Sequence, residues 1–279
     1  MSYMIKAIIK ISRPVNFLIT FFAVVITGLI SAKSSSIGFE IVYAAFAMAF
    51  ACSAGNVFND IADIEIDRIN KPDRVLAKGI ISINFAKVLY AIFIVLSFLS
   101  AFYFGIESFI YLAVINLILI FYSTHLKKIV LIGNFTVALL TASALIYGAE
   151  IAGNINAGII PALFAFFTNL IREIIKDMED VVGDSTYDIF TFPKIYGYKR
   201  TVFLIFVLTF IIVFFTIGLY LYNIYKIEFF LILMVIVNPL FIFMLKLLYK
   251  SQNQDTLKKA GRIIKLNMVI GLIAIYIGS

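Results

Sequence analysis

Tryptophan is absent from this 279-residue chain, and cysteine and histidine occur once each. The lone Cys52 excludes an intramolecular disulfide framework and a cysteine-rich metal site. The lone His125 excludes a multi-histidine metal centre. Charge is scarce as well: 14% of the residues are charged, against about a quarter in an ordinary soluble domain. What fills the chain is apolar, 63% of it. A net charge of +7 would suit a nucleic-acid partner in a soluble protein. In an apolar chain the placement of charge matters more than its sum, and no nucleic-acid partner is expected.

Apolar runs long enough to cross a bilayer fall at approximately 14–32, 38–62, 85–104, 107–123, 129–150, 155–178, 199–222, 227–249 and 261–278. The expected fold is therefore all-α, a polytopic bundle of nine transmembrane helices forming a single domain over 1–279. The first run follows Lys6, Lys10 and Arg13 without a small-residue cleavage site, so it reads as a retained helix rather than a signal peptide. Of the 23 basic residues, all but Lys33 and Lys226 fall on alternate connections. The excess of Lys and Arg makes that side cytoplasmic, placing the N-terminus inside and the C-terminus outside a cell membrane.

Two acidic clusters lie on the same side. In the stretch Asn56–Asp67, a helix of 3.6 residues per turn gathers Asn56, Asn59, Asp60, Asp63 and Asp67 into a wedge of roughly 100°. Such carboxylates repel one another unless a cation holds them, and Mg²⁺ bound through carboxylates and substrate phosphates is the natural candidate. The second cluster puts Asn169, Arg172, Glu173, Lys176, Asp177, Asp180 and Asp184 on one broad helical face. A solvated helix end with internal ion pairs would explain either cluster alone. Two of them running back into apolar helices point to function, because ionisable groups at membrane depth are costly. Two Mg²⁺-binding carboxylate clusters would match a diphosphate, with Arg68, Lys71, Arg74 and Lys78 as further clamps. Beside an apolar bundle, that diphosphate would belong to a lipid. The chemistry would be ionisation of an allylic C–O bond, with electrostatic stabilisation of the departing charge as the main catalytic effect.

At these residues the chain resembles the UbiA superfamily of membrane prenyltransferases. Asn59, Asp60, Asp63 and Asp67 match the first aspartate motif, and Asp180 with Asp184 the second, preceded by Asp177. Arg13-Pro14-x-Asn16 and Tyr122-Ser123-x-x-Leu126-Lys127 match further family wording. Asn70–Arg74, Gly133–Ala138, Arg172–Asp180 and Thr191–Lys194 are most similar to the archaeal digeranylgeranylglyceryl phosphate synthases. Asp73 and Val75 depart from the commoner wording of that loop.

The resemblance implies transfer of a geranylgeranyl group from its diphosphate to the free hydroxyl of geranylgeranylglyceryl phosphate, at a cytoplasmic-side site. It implies Asn59, Asp63 and Asp67 on one Mg²⁺, Asp180 and Asp184 on the other, and Arg74, Lys78 and Lys127 on the diphosphate. Arg13, Asn16, Asp60, Tyr122, Arg172, Lys176 and Asp177 would support these or bind the acceptor's phosphate. The partners are then an isoprenyl diphosphate, a lipid-phosphate acceptor and membrane lipid, in an oligomeric state the sequence does not reveal. Two other readings stand beside this one: a UbiA-type enzyme with an aromatic acceptor, and an ion-coupled transporter. The transporter reading needs polar groups continuing across the bilayer, and Glu107 with Glu150 do not make such a path.

Overall fold

Lipid offers backbone groups no hydrogen-bond partners, so a chain this apolar has to satisfy them within its own segments. The computed structural model describes residues 2–33, 38–187 and 189–279, and helix is the only extended regular structure among them. The order is α1 (Ser2–Ser12), α2 (Pro14–Ala32), α3 (Phe39–Ala62), α4 (Ile64–Asn70), α5 (Ile83–Ala101) and α6 (Gly105–Thr124). Then follow α7 (Ile132–Ile151), α8 (Ile155–Thr186), α9 (Phe192–Leu221), α10 (Ile227–Ile232), α11 (Asn238–Lys250) and α12 (Gln254–Gly278).

Among the described residues, eight stretches are long and apolar enough to cross a membrane. One of them, Ile83–Thr124, is 42 residues long, about twice a single crossing. It divides into α5 and α6 at a 3₁₀ turn, Phe102–Phe104, and at Gly105, whose φ of 78° suits a residue without Cβ. Apart from their ends, the nine apolar runs of the sequence fall within these eight stretches.

Small residues set the spacing of the first half. Ala44, Ala45, Ala47, Ala49, Ala51 and Ala54 of α3 are all buried, which lets α2 and α5 lie close against it. The second half packs around α8, whose Ile171, Ile174, Ile175 and Met178 share a core with Leu257, Ala260 and Ile264 of α12. At 1.5 Å per residue the 32-residue α8 is about 48 Å long, well beyond a hydrocarbon core of about 30 Å. Its acidic end is what the extra length carries.

Three features were not read from the sequence. The basic N-terminal segment is itself a helix, α1, and buries Ala7 and Ile11 in a cluster with Val57, Val75, Leu76 and Ile81. That cluster pins the connection after α4, so the connection is an anchored turn rather than a loose polar loop. Between α10 and α11 the backbone makes a π-helical turn, Leu233–Val237. Pro239 follows two residues after Val237 and has no N–H to give the preceding turn, which accounts for the local widening.

Candidate active site

The wedge expected of Asn56–Asp67 does not form as one helical face. α3 ends at Ala62, Asp63 sits at the junction with φ −101° and ψ 10°, and the chain restarts as α4. The polar residues border two adjoining spaces, with Asn59 lining both. Asn59, Asp63 and Asp67 line a polar pocket, while Asn56 lines an adjoining apolar cavity. Asp60 is buried and turned to the side, where it accepts from Arg13 and, at 3.0 Å, from Arg74. Arg13 owes its direction to Pro14. The proline disfavours helix at the preceding residue, and Arg13 adopts φ 50° between α1 and α2. Its guanidinium then reaches Asn56 Oδ1 at 3.2 Å as well as Asp60.

The second motif arrives on the unbroken end of α8. Asp177, Asp180 and Asp184 recur at helical spacing and line the same polar pocket as Asn59, Asp63 and Asp67. The two motifs are tied by Asn70, the last residue of α4. Its Nδ2 donates to the Asp180 carbonyl at 2.9 Å, and its Oδ1 accepts from the Gly183 N–H at 2.8 Å. Asn134 at the start of α7 donates to Asp177 Oδ2 at 2.8 Å.

Neutralisation of the carboxylates comes from side chains of the protein itself. Lys127 pairs with Asp63, Lys71 with Asp180, and Arg74 with Asp67 as well as Asp60. Among the described residues no three Asp, Glu, His or Cys side chains converge as a ready metal cluster. The acidic stretch was expected to need a cation, and lysine and arginine side chains meet that need here: each first-motif carboxylate and Asp180 has a basic partner. Arg74 and Lys127, expected at the diphosphate, do line the pocket. Lys78 does not: it lies on the turn after Arg74, about half exposed, with its ammonium 2.5 Å from Asp73. Arg68 is also outside, pairing at 2.7 Å with Glu65 where both are more than half exposed.

Burial shapes the electrostatics of the loop residues. It pushes the Asp67 carboxyl up from its ordinary range, with Arg74 opposing the shift. It pulls the Lys71 ammonium down, with Asp180 opposing. For Arg74 burial acts downward too, but Asp60 and Asp67 outweigh it and hold the guanidinium above its usual value.

Two buried oxygens in the pocket have no hydrogen-bond partner, Asn59 Oδ1 and Thr191 Oγ1. A buried acceptor left unpaired costs free energy, so Asn59 Oδ1 amid aspartates marks a position where a cation would be welcome. The donor set is entirely oxygen, the set that suits Mg²⁺ rather than a thiophilic metal. By donor chemistry the residues fit.

An apolar cavity of about 180 Å³ adjoins the polar pocket, sharing Asn59, Tyr122 and Lys176 with it. Ala23, Met48, Leu119, Ala144 and Leu145 are among its apolar walls, and Arg13, Asn16 and Arg172 stand at its polar side. Tyr122 thus lies where a diphosphate-bearing chain would pass from one space to the other. Glu173 accepts from Arg172 at 2.5 Å and Lys176 at 3.1 Å, the internal pairing foreseen for a structural helix end. His125 is outside, hydrogen-bonded to Thr124 at 2.7 Å and stacked on Phe121.

Sequence reasoning assigned no role to Asn70, Asn134 or Thr191, although all three sit in stretches that carried the resemblance. Their spacing gives no signal, because each acts across 40 or more positions of chain or through a void.

Comparison with known proteins agrees with this geometry. Residues 18–269 match the UbiA prenyltransferase family. A digeranylgeranylglyceryl phosphate synthase of Methanosphaera stadtmanae is 34% identical over 271 residues, covering 97% of this chain and 98% of its own. The enzyme of the same name from Methanocaldococcus jannaschii is 36% identical over 234 residues, covering 84% of this chain and 82% of its own. A solved structure described as digeranylgeranylglyceryl phosphate synthase in membranes superposes with a TM-score of 0.72, at 32% identity, over 100% of this chain and 99% of that one. A UbiA homologue from Archaeoglobus fulgidus, bound to GPP and Mg²⁺, has a TM-score of 0.67 at 21% identity, covering 96% and 99%. This last likeness concerns the fold alone. The fold, the paired acidic motifs and the family match agree: the chain is a multi-pass membrane protein that belongs to the UbiA prenyltransferase family.

Proposed function

We propose that the chain transfers a geranylgeranyl group from geranylgeranyl diphosphate to the free hydroxyl of geranylgeranylglyceryl phosphate, forming the second ether bond of an archaeal membrane lipid precursor. The observation that carries this reading is the joining of a polar pocket, lined by both aspartate motifs, to an apolar cavity through Tyr122 and Lys176. The diphosphate sits in the first space and the prenyl chain in the second. The relatives named for this activity extend over nearly the whole chain, which supports the choice of acceptor.

Asn59, Asp63 and Asp67 would hold one Mg²⁺, and Asp180 and Asp184 the other. Bound there, Mg²⁺ supplies charge to the leaving diphosphate. Lys127, Arg74 and Lys71 exchange their carboxylate partners for phosphate oxygens as the substrate enters, so their charge is used twice. Asp60 keeps Arg13 and Arg74 oriented, and Asn134 does the same for Asp177. Tyr122 shields the allylic carbon from water. Much of the remaining cavity wall is aliphatic, with Ala23, Ala51, Ala144, Leu119 and Leu145 among its residues, which suits a prenyl chain.

In the membrane this reading goes with nine crossings, α5 and α6 counting separately, a single domain over 1–279, an N-terminus inside and a cytoplasmic-side site. The basic residues clustered at the ends of α1, α4 and α11 and the start of α12 support that orientation. The test incubates purified protein with labelled geranylgeranyl diphosphate and either geranylgeranylglyceryl phosphate or an aromatic acid, with and without Mg²⁺. Prenylated lipid phosphate, formed only with Mg²⁺, is the expected product. Product from the aromatic acid alone would replace the acceptor; no Mg²⁺-dependent diphosphate release would sink the reaction class.

A further inference from the structure

A third space opens beside the two already described, and its charge is of another kind. It measures about 400 Å³ and is lined by eight basic side chains against a single carboxylate, Glu179. Three of the cations, Lys258, Arg262 and Lys265, come from α12, where the sequence suggested only that they mark the cytoplasmic side. Their spacing puts them on one side of that helix, beside its core-facing Leu257, Ala260 and Ile264, where they border a space also lined by α8 and the start of α2. None of the three is ion-paired with a described carboxylate, whereas the other five, Arg13, Lys71, Arg74, Arg172 and Lys176, are each held by one.

Three cations without a described carboxylate partner at one cavity call for an anion. The polar pocket differs: five aspartates line it, and an anion entering it needs metal to offset them. The basic pocket requires no metal. It also communicates with both neighbours. It shares Arg13, Asn16, Arg172 and Lys265 with the apolar cavity, and Lys71 and Arg74 with the polar pocket. Lys176 lines all three. An amphiphile with an anionic head could place that head here and its chain in the apolar cavity.

We propose that the pocket formed by Arg13, Arg172, Lys258, Arg262 and Lys265 seats the phosphate monoester of the lipid acceptor, without metal, beside the diphosphate of the donor. This rests on the acceptor reading given above, which it extends by adding α12 to the site. The separation explains how two phosphorylated lipids are told apart: the diphosphate goes to carboxylates plus metal, and the monophosphate to cations alone. Lys176, between them, faces both anions.

The test uses Arg262→Gln and Lys265→Gln, singly and together, in the full-length protein in detergent. Loss of charge-assisted hydrogen bonds should raise KM for geranylgeranylglyceryl phosphate by roughly tenfold or more. KM for geranylgeranyl diphosphate and the Mg²⁺ dependence should change less than about twofold, and Arg262→Lys should restore part of the loss. Wild-type preference for the phosphorylated acceptor over dephosphorylated geranylgeranylglycerol should shrink in the double variant. Equal KM and intact preference would overturn the proposal while leaving the reaction untouched. A second arm needs no turnover: thermal stabilisation by geranylgeranylglyceryl phosphate in EDTA, expected in wild type and lost in the double variant. If an aromatic acid proves to be the only acceptor, the functional reading fails in the assay. Absence of that EDTA stabilisation in wild type overturns the pocket independently.

Discussion

Asn70 occupies the space that a side chain at Gly183 would need. A Cβ built at 183 would lie 2.5 Å from the Asn70 amide, whose oxygen accepts the Gly183 N–H at 2.8 Å. The missing methyl is what lets α4 close onto α8 and bring the two aspartate motifs to one pocket. In Gly183→Ala the seam must open, at a cost of about 1–3 kcal/mol for the overpacking and the lost bonds. Turnover should fall at least about tenfold, since roughly an ångström of misplacement costs up to a hundredfold in a positioned site. Steady-state rates and thermal midpoints of Gly183→Ala and Asn70→Ala check this, and an alanine variant at wild-type rate would refute it.

Removing a carboxylate tests the metal assignment, but the basic partners complicate the choice of variant. Asp63→Ala would leave Lys127 largely buried without a countercharge, an effect worth about 3–5 kcal/mol when one member of a buried pair is removed. Asp63→Asn and Asp180→Asn keep the shape and a hydrogen bond. Both should lose turnover by about a hundredfold or more, with a much smaller change in thermal midpoint than the alanine variants. Near-normal turnover in either would take that aspartate out of the metal site.

Chelation should separate activity from folding. Lys127, Lys71 and Arg74 pair with Asp63, Asp180 and Asp67, so EDTA should abolish turnover and leave the thermal midpoint nearly unchanged. Mg²⁺ and geranylgeranyl diphosphate added together should raise it, by the equivalent of about 2.7 kcal/mol at a hundredfold excess over Kd. Unfolding in EDTA alone would show that the ion pairs do not suffice.

Thr191 offers a case where a structural role and a ligand role diverge. Its hydroxyl is buried in the polar pocket without a partner, so Thr191→Val breaks no hydrogen bond of the free protein. The variant should melt at or slightly above the wild-type temperature and show a KM for geranylgeranyl diphosphate raised roughly threefold to tenfold. Destabilisation with unchanged KM would assign the hydroxyl to packing.

The loop cations divide sharply. Arg74→Ala should raise KM for the diphosphate and lower stability, because Asp60 and Asp67 lose their shared partner. Arg68→Ala, breaking only an exposed pair with Glu65, should leave both within about twofold. Parallel kinetics on the two variants decide the matter.

Those two arginines also show what the sequence could convey. Their charge was legible, as were the apolar runs and the recurrence of Asp177, Asp180 and Asp184, because each is a property of near neighbours. Which of two cations six positions apart enters the pocket depends on how the turn after α4 is pinned by Val75, Leu76 and Ile81 against α1. That packing is non-local, and α1 was itself read only as the basic flank of the first crossing. The break at Asp63 escaped notice for a related reason: Ile, Ala and Glu around it all suit a helix, and no Gly or Pro punctuates the run. Lys258, Arg262 and Lys265 read as an ordinary cytoplasmic flank until α12 is laid against α8.

The junction at Asp63 has a mechanical counterpart in the unbroken α8. The aspartates of α8 are mounted on one continuous rod rooted in the core of the bundle, and so cannot shift without dragging their neighbours. Those of α3 and α4 straddle a discontinuity, and Asp67 rides a short seven-residue helix held through Asn70, Arg74 and the turn beyond. The two jaws of the site therefore differ in compliance. Whatever narrowing accompanies the exchange of lysine and arginine partners for phosphate is borne by the α4 side, against a fixed anvil.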